Sequence, residues 1–396
     1  MRLAALLLAS ACAVVPAPAL AQSPDLAALQ EQLAAMRSEI ARLTERVADL
    51  QAAEQARETT PASASAPETE VEWKGAPELT HKESWSFKPR GRVQVDAGVV
   101  YAPDSTGRSD GFGSEIRRAR LGVEGKIPGG FGYKFEVDLA GNNVEVTDAF
   151  AFERRLGVSG QYSGGDFLVQ AGAFSDNIDA LPGQAWSADG RVVYVPKLGD
   201  TQLHFGGSVH FANTDSISLR YRERPLVHFT SERFVDTGTF SAESEFGAGL
   251  EAALIHGRFH AAGEAFWQSV DRPGALADPT FFGGYAEVGM FLTPGDTRGY
   301  KGGTFDRVEP ASPVSEGRFG ALQLNLRYDY LDLVDAGLIG GVQDGYYASL
   351  IWTPTDYTRL MLNFGRLQYS QAVHPTATGY RSYAVDTVGM RAQLDF

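Results

Sequence analysis

Residues 383 to 396 alternate apolar and polar side chains and stop on a phenylalanine. Ala384, Val388, Met390, Ala392, Leu394 and Phe396 fall on one parity; Tyr383, Thr387, Arg391, Gln393 and Asp395 fall on the other, with Val385 and Asp386 out of step. Successive side chains of a strand point to opposite faces, so the segment reads as a strand with one apolar and one polar face. Nothing later in the sequence covers the apolar face, and lipid is the expected cover. A strand crosses hydrocarbon in a closed barrel, where every backbone donor and acceptor pairs within the wall.

Composition agrees. The chain of 396 residues carries 44 glycines, 43% hydrophobic and 11% aromatic residues. Past the N-terminus no stretch reaches the ~18 to 20 apolar residues that a spanning helix needs. Residues 1–21 read as a secretory signal: Arg2, the apolar run Leu3 to Val15, and Ala19 and Ala21 flanking Leu20 before Gln22. Cys12 is the single cysteine and lies inside that signal. Cleavage therefore leaves no cysteine for a disulfide, a thiolate metal site or a nucleophile. The formal charge of −14 opposes a nucleic-acid partner, since phosphates call for a basic surface. Twelve acidic and six basic residues fall between Gln22 and Ser84, so the net sign does not decide which ions the rest of the chain prefers.

Three segments follow the signal. Leu26, Leu29, Leu33, Met36, Ile40, Leu43, Val47 and Leu50 form a near-continuous heptad seam flanked by charges, so residues 22–53 are expected to form a periplasmic α-helical coiled coil. An amphipathic helix lying on the barrel or membrane surface is the alternative. Residues 54–85, rich in Pro, Ala, Ser, Thr and Glu, read as a linker that cannot pack a core. Residues 86–396 read as the outer-membrane β-barrel. Val93, Val95, Ala97 and Val99 oppose Arg92, Gln94 and Asp96, and later segments repeat that division down to the C-terminus. The count is fourteen strands, an even number as in single-chain outer-membrane barrels. Short turns at 128–130, 256–257 and 353–356 would face the periplasm, and longer segments at 102–114, 213–244 and 271–281 the outside. The segment 294–316 breaks this rule, being long yet periplasmic by count.

These residues resemble a known family, the phosphate-selective porins O and P. Phe87-Lys88, Gly91-Arg92, Ile116-Arg117-Arg118-Ala119-Arg120-Leu121, Tyr133-Lys134-Phe135 and Asp138-Leu139 are similar to its opening strands. Gly284-Tyr285-Ala286, the run Lys301 to Pro310 and Leu326-Arg327-Tyr328-Asp329 are similar to its long periplasmic connection and the strand beyond. The resemblance implies a water-filled homotrimeric barrel in the outer membrane of a Gram-negative bacterium, usually of sixteen strands, with small anions among its permeants. Two departures stand out. Only Ser175 to Ala185 fills the place of the family's constriction loop and two further strands. The lysines of its central phosphate site also lack counterparts, since Ser269 to Phe282 contains Arg272 and no lysine. The missing constriction leaves either a wide channel or a substitute made by the 213–244 segment folding inward.

A porin acts through lumen charge and width, without covalent chemistry or a cofactor. Strand parity turns Arg92, Arg118, Arg120, Lys126, Lys134, Arg327, Arg359 and Arg391 inward as pore-lining candidates, among carboxylates such as Glu124, Glu136, Asp138 and Asp329. A row of guanidinium groups guides anions through successive forked contacts; a charge lattice that stiffens the wall is the competing reading. Arg220, Arg222 and Arg224 resemble the family's arginine stretch at the pore mouth. His204, His210 and His260 are too dispersed for a metal site, and no Gly-x-Ser-x-Gly nucleophile elbow is present, so no enzyme is expected. The expected function is passive diffusion of small hydrophilic solutes, with anions such as phosphate favoured. A structural envelope tether, its coiled coil bound to peptidoglycan or a partner, is the second reading. The C-terminal Phe396 resembles the signal read by barrel-assembly machinery.

Overall fold

The computed structural model describes residues 38, 41–42, 44–48, 69–73, 75–81, 84–128, 131–140, 145–149, 155–177, 185–214 and 218–396. Two units emerge, Met1–Glu68 and Thr69–Phe396. In the first, Ser38, Ala41, Arg42 and residues 44–48 are helical and exposed. The rest of the expected coiled coil, and the whole signal, lie outside the described residues.

The second unit is built from antiparallel strands: β1 (Thr69–Trp73), β2 (Pro77–His81), β3 (Trp85–Tyr101), β4 (Gly111–Ile127), β5 (Phe131–Asp138), β6 (Glu145–Ala149), β7 (Arg155–Gly164), β8 (Phe167–Asn177) and β9 (Trp186–Tyr194). Then come the short β10 (Lys197–Leu198), β11 (Thr201–Asn213) and four short pieces, β12 (Ser218–Leu219), β13 (Arg222–Glu223), β14 (Val235–Asp236) and β15 (Phe240–Ser241). The chain continues with β16 (Ser244–His256), β17 (Phe259–Asp271), β18 (Thr280–Phe291), the short β19 (Gly299–Lys301) and β20 (Thr304–Asp306), β21 (Ala321–Asp335), β22 (Leu338–Thr355), β23 (Thr358–Ser370) and β24 (Tyr383–Asp395).

Pairing follows chain order. β7 to β9 lead through β11, β16, β17, β18, β21, β22 and β23 to β24. β24 then pairs with β3, from which β4, β5 and β6 follow. Last strand thus meets first, with Arg391 opposite Asp96 and Gln393 opposite Gln94. Among the described residues no pairing joins β6 to β7, and the wall is open there.

The alternation in the sequence is visible as two faces. Val95, Ile116, Leu121, Phe205, Leu250, Val288, Leu326, Leu362, Phe364 and Met390 are all exposed large apolar side chains on the outer face, a band that only lipid would cover. The inner face holds the polar residues of the same strands. Hairpin β1–β2, inside the stretch read from composition as linker, adds to the foot of β3 through Leu79 opposite Phe87 and His81 opposite Trp85. Val71 and Trp73 in Thr69–Trp73 supply the β-branched and aromatic residues that a strand favours.

Candidate functional site

Two connections fold onto the inner face and narrow it. The first is the segment 214–243 between β11 and β16. It is tied into two small ladders, Ser218 opposite Ser241 and Arg222 opposite Asp236. Its Val227, Phe234, Val235 and Phe240 join inward residues of the wall, including Val100, Val270, Phe281, Leu333, Tyr347, Leu367, Tyr369 and Val385, in one buried apolar cluster. Phe234 and Val235 are wholly buried. The rings of Phe234 and Tyr369 sit 5.1 Å apart. Glycines make room for the segment: a β-carbon on Gly389 would come 3.3 Å from Val227, and one on Gly98 would come 3.1 Å from Phe229. An inner face that is polar elsewhere is apolar here because a chain segment, rather than water, lies against it.

The second is the connection 292–320 at the opposite rim. Its hairpin β19–β20 reaches the far wall, where the Tyr300 hydroxyl meets His204 Nδ1 at 2.6 Å and Arg191 Nη2 donates to the Gly303 carbonyl at 3.0 Å. Phe305 lies edge-on to His260, and Arg298 stacks over the Phe305 ring at 5.2 Å. Between this hairpin and the wall formed by β3, β4, β5 and β23 is a cavity of 430 Å³ lined by eight basic and five acidic side chains.

Each arginine and lysine singled out by parity can now be placed. Arg391 forks onto Asp96, both contacts 2.6 Å, and Arg92 pairs with Asp395. Gln94 Nε2 donates to Gln393 between them at 2.6 Å. Arg120 meets Asp138 at 3.0 Å and Glu136 at 3.2 Å. Arg327 pairs with Asp329 at 2.6 Å and covers the Tyr285 ring at 3.7 Å. Arg359 and Lys134 line the 430 Å³ cavity, while Lys126 lines a smaller groove beside it with Lys88 and Lys134. Arg118 stands among the charges of Arg92, Arg117, Arg120 and Arg391, and its Nε meets no acceptor among the described residues.

The three arginines read as pore-mouth candidates, Arg220, Arg222 and Arg224, differ. Arg220 forks onto Asp236, with Nε to Oδ1 at 2.8 Å, so it holds the segment together. Burial alone would raise the Asp236 pKa, but Arg220 and the Gly238 amide outweigh it and hold the carboxyl below its usual value. Arg222 is exposed. Arg224 Nη1 contacts His228 Nδ1 at 2.7 Å, and burial together with Arg117, Arg224 and Arg391 lowers the His228 pKa, so the neutral imidazole accepts that hydrogen bond.

Several contributors escaped the sequence reading. The ladder of β3 and β4 slips between Gln94 and Val95, which pair with Arg118 and Ile116, leaving Arg117 as the extra residue of a β-bulge. A bulge lets adjacent side chains share a face. The adjacent arginines in an otherwise alternating run are the signal that could have found it. Arg90, bonded to Glu124 and near Glu136, also belongs to the inner face. Arg298 and Phe305 belong to a connection, where strand parity has no meaning.

Comparison with known proteins identifies the family. The sequence is 41% identical over 476 residues to an uncharacterized protein of Caulobacter vibrioides, in an alignment that takes in all of this chain and 96% of that relative. Among solved structures, the outer membrane channel DcaP of Acinetobacter baumannii aligns over 80% of this chain and 99% of its own, with a TM-score of 0.48 and 12% identity. An anion-selective porin from Comamonas acidovorans aligns over 79% of this chain and 100% of its own, with a TM-score of 0.38 and 14% identity. The signature of one family matches in two stretches, residues 87–148 and 143–396. Matched over nearly the whole sheet-forming unit, the chain belongs to the phosphate-selective porins O and P.

Proposed function

We propose that this porin passes small hydrophilic solutes by diffusion, with anions such as phosphate favoured by an arginine arc on β3, β4 and β24. The observation that carries this reading is the crowding of Arg92, Arg117, Arg118, Arg120 and Arg391 on one side of the inner face. Asp96, Asp138 and Asp395 compensate three of them, while Arg118 keeps an unmet donor. An anion entering past Arg222 would meet Arg118 and then the cavity that Arg298, Arg307 and Arg359 line. Successive weak contacts of this kind admit an ion without trapping it. The constriction is the 214–243 segment, which takes the role of the family's constriction loop that Ser175 to Ala185 is too short to form.

The barrel of this reading has fourteen strands. Counting alternating directions from β3 one way and from β24 the other, β6 and β7 run the same way, so the two count as one place in the wall, β6 pairing with β5 and β7 with β8. The chain forms a homotrimer, consistent with its family, and the helical N-terminal segment lies in the periplasm. Planar-bilayer recording of the reconstituted channel under a potassium chloride gradient tests the function. A reversal potential of anion sign and a conductance reduced by added phosphate are expected; cation preference without phosphate block would refute the reading.

A further inference from the structure

The arginine arc occupies one side of the inner face, and the side across from it is built otherwise. Register puts Gln161, Gln170, Arg191, Ser208, Gly249 and Phe266 in one inward row across β7, β8, β9, β11, β16 and β17. The arginine of this row is compensated within the wall, and Glu245 and Glu264 add carboxylates to the same face. Arg191 forks onto Glu251 at 2.7 and 3.0 Å, and His210 Nδ1 meets Asp189 at 2.6 Å. Amides and hydroxyls face the channel beside these pairs, including Gln170, whose Nε2 donates to Gln161 at 2.9 Å, and Gln268 in the neighbouring row.

Two aromatic rings stand among these groups. Phe266 is 46% exposed although it points inward, where the strand pattern calls for a polar residue. A β-carbon on Gly249 of the adjoining strand would lie 3.1 Å from that ring, and one on Gly172 would lie 2.6 Å from the Phe174 ring. Each ring therefore lies against a glycine and leaves its other side to the channel. Both border one cavity of 750 Å³. An inorganic anion gains nothing from such faces. A sugar ring does, because its C–H face packs on an aromatic ring while its hydroxyls donate to and accept from amides and hydroxyls at the edge.

We propose that this wall is a weak binding track for a neutral polyhydroxylated solute, a mono- or disaccharide, running beside the anion track. The proposal rests on the porin reading and adds a permeant class to it. The test records the reconstituted full chain in potassium chloride with and without maltose, each channel normalised to its own sugar-free conductance. Maltose is expected to block the native channel in a saturable way, Phe266→Ala to weaken that block about tenfold, and Phe266→Tyr to retain it. Absence of block in the native channel, or equal block in native and Phe266→Ala channels, would overturn the proposal while leaving ion conduction intact. Absence of any conductance would overturn the porin reading, and this one with it.

Discussion

Single side chains set both the charge of the channel and its closure. A unit charge at 4 Å is worth about 1 kcal/mol in water, so Arg118→Glu, which removes one positive charge and adds a negative one, should shift relative anion permeability by roughly tenfold toward cations. Reversal potentials under a salt gradient measure that shift. Gly91 has a different task. Its amide donates to the Phe396 carbonyl at 2.9 Å and its carbonyl accepts from the Phe396 amide at 3.0 Å, while the Phe396 ring occupies the space where a β-carbon would be. Gly91→Leu should displace the ring and lower the unfolding temperature of the folded barrel, read as loss of its fast-migrating form in unheated gels. The polar face of β24 was legible in the sequence, because alternation alone assigns Arg391 and Gln393 to it. That Arg391 is neutralised by Asp96 was not, because partners across a seam depend on register rather than on period.

At the scale of elements, the inward fold of 214–243 is the feature with most consequence for the channel. Truncating a buried phenylalanine costs about 3 to 5 kcal/mol, enough to undock a segment held by one apolar cluster. Phe234→Ala should therefore raise single-channel conductance and its noise, and a bilayer recording would show both. Asp236 adds a pH dependence whose sign follows from its lowered pKa. Its contribution to docking is complete above the ordinary carboxylate range and is lost only as pH falls through the depressed value. Conductance at fixed salt should hold steady as acid passes the usual titration of aspartate and rise below it; a rise at the usual value would instead implicate an unpaired carboxylate. Strands and short turns were readable because each follows from a two-residue period and local turn residues. The docking of 214–243 was readable only as one of two options, because Phe234 and Val235 find their partners on strands far along the chain. Hairpin β1–β2 was hidden by the composition of the stretch around it.

At the scale of the molecule, the wall sorts its chemistry by side: a cationic arc on β3, β4 and β24, and a wall of amides, aromatic rings and carboxylates over β7 to β17. Composition could not show this, since a net charge of −14 averages over the whole chain. The same sorting bears on selectivity. Replacing Arg391 by Gln would leave the buried Asp96 without its forked partner, a change expected to cost about 3 to 5 kcal/mol for a buried pair and to lower barrel stability as well as anion preference. Thermal melting and reversal potential together check it. The pairing of β24 with β3 has a further consequence, in the order of assembly. Arg92 and Asp395, bonded across that seam, are 303 residues apart in the chain. Contacts so distant form late, and until they do, β3 and whichever strand has most recently joined the sheet each present an unpaired edge that could recruit a foreign strand. The chain therefore passes most of its folding time as an open sheet in need of a guardian, and the addition of β24 is the event that ends the need.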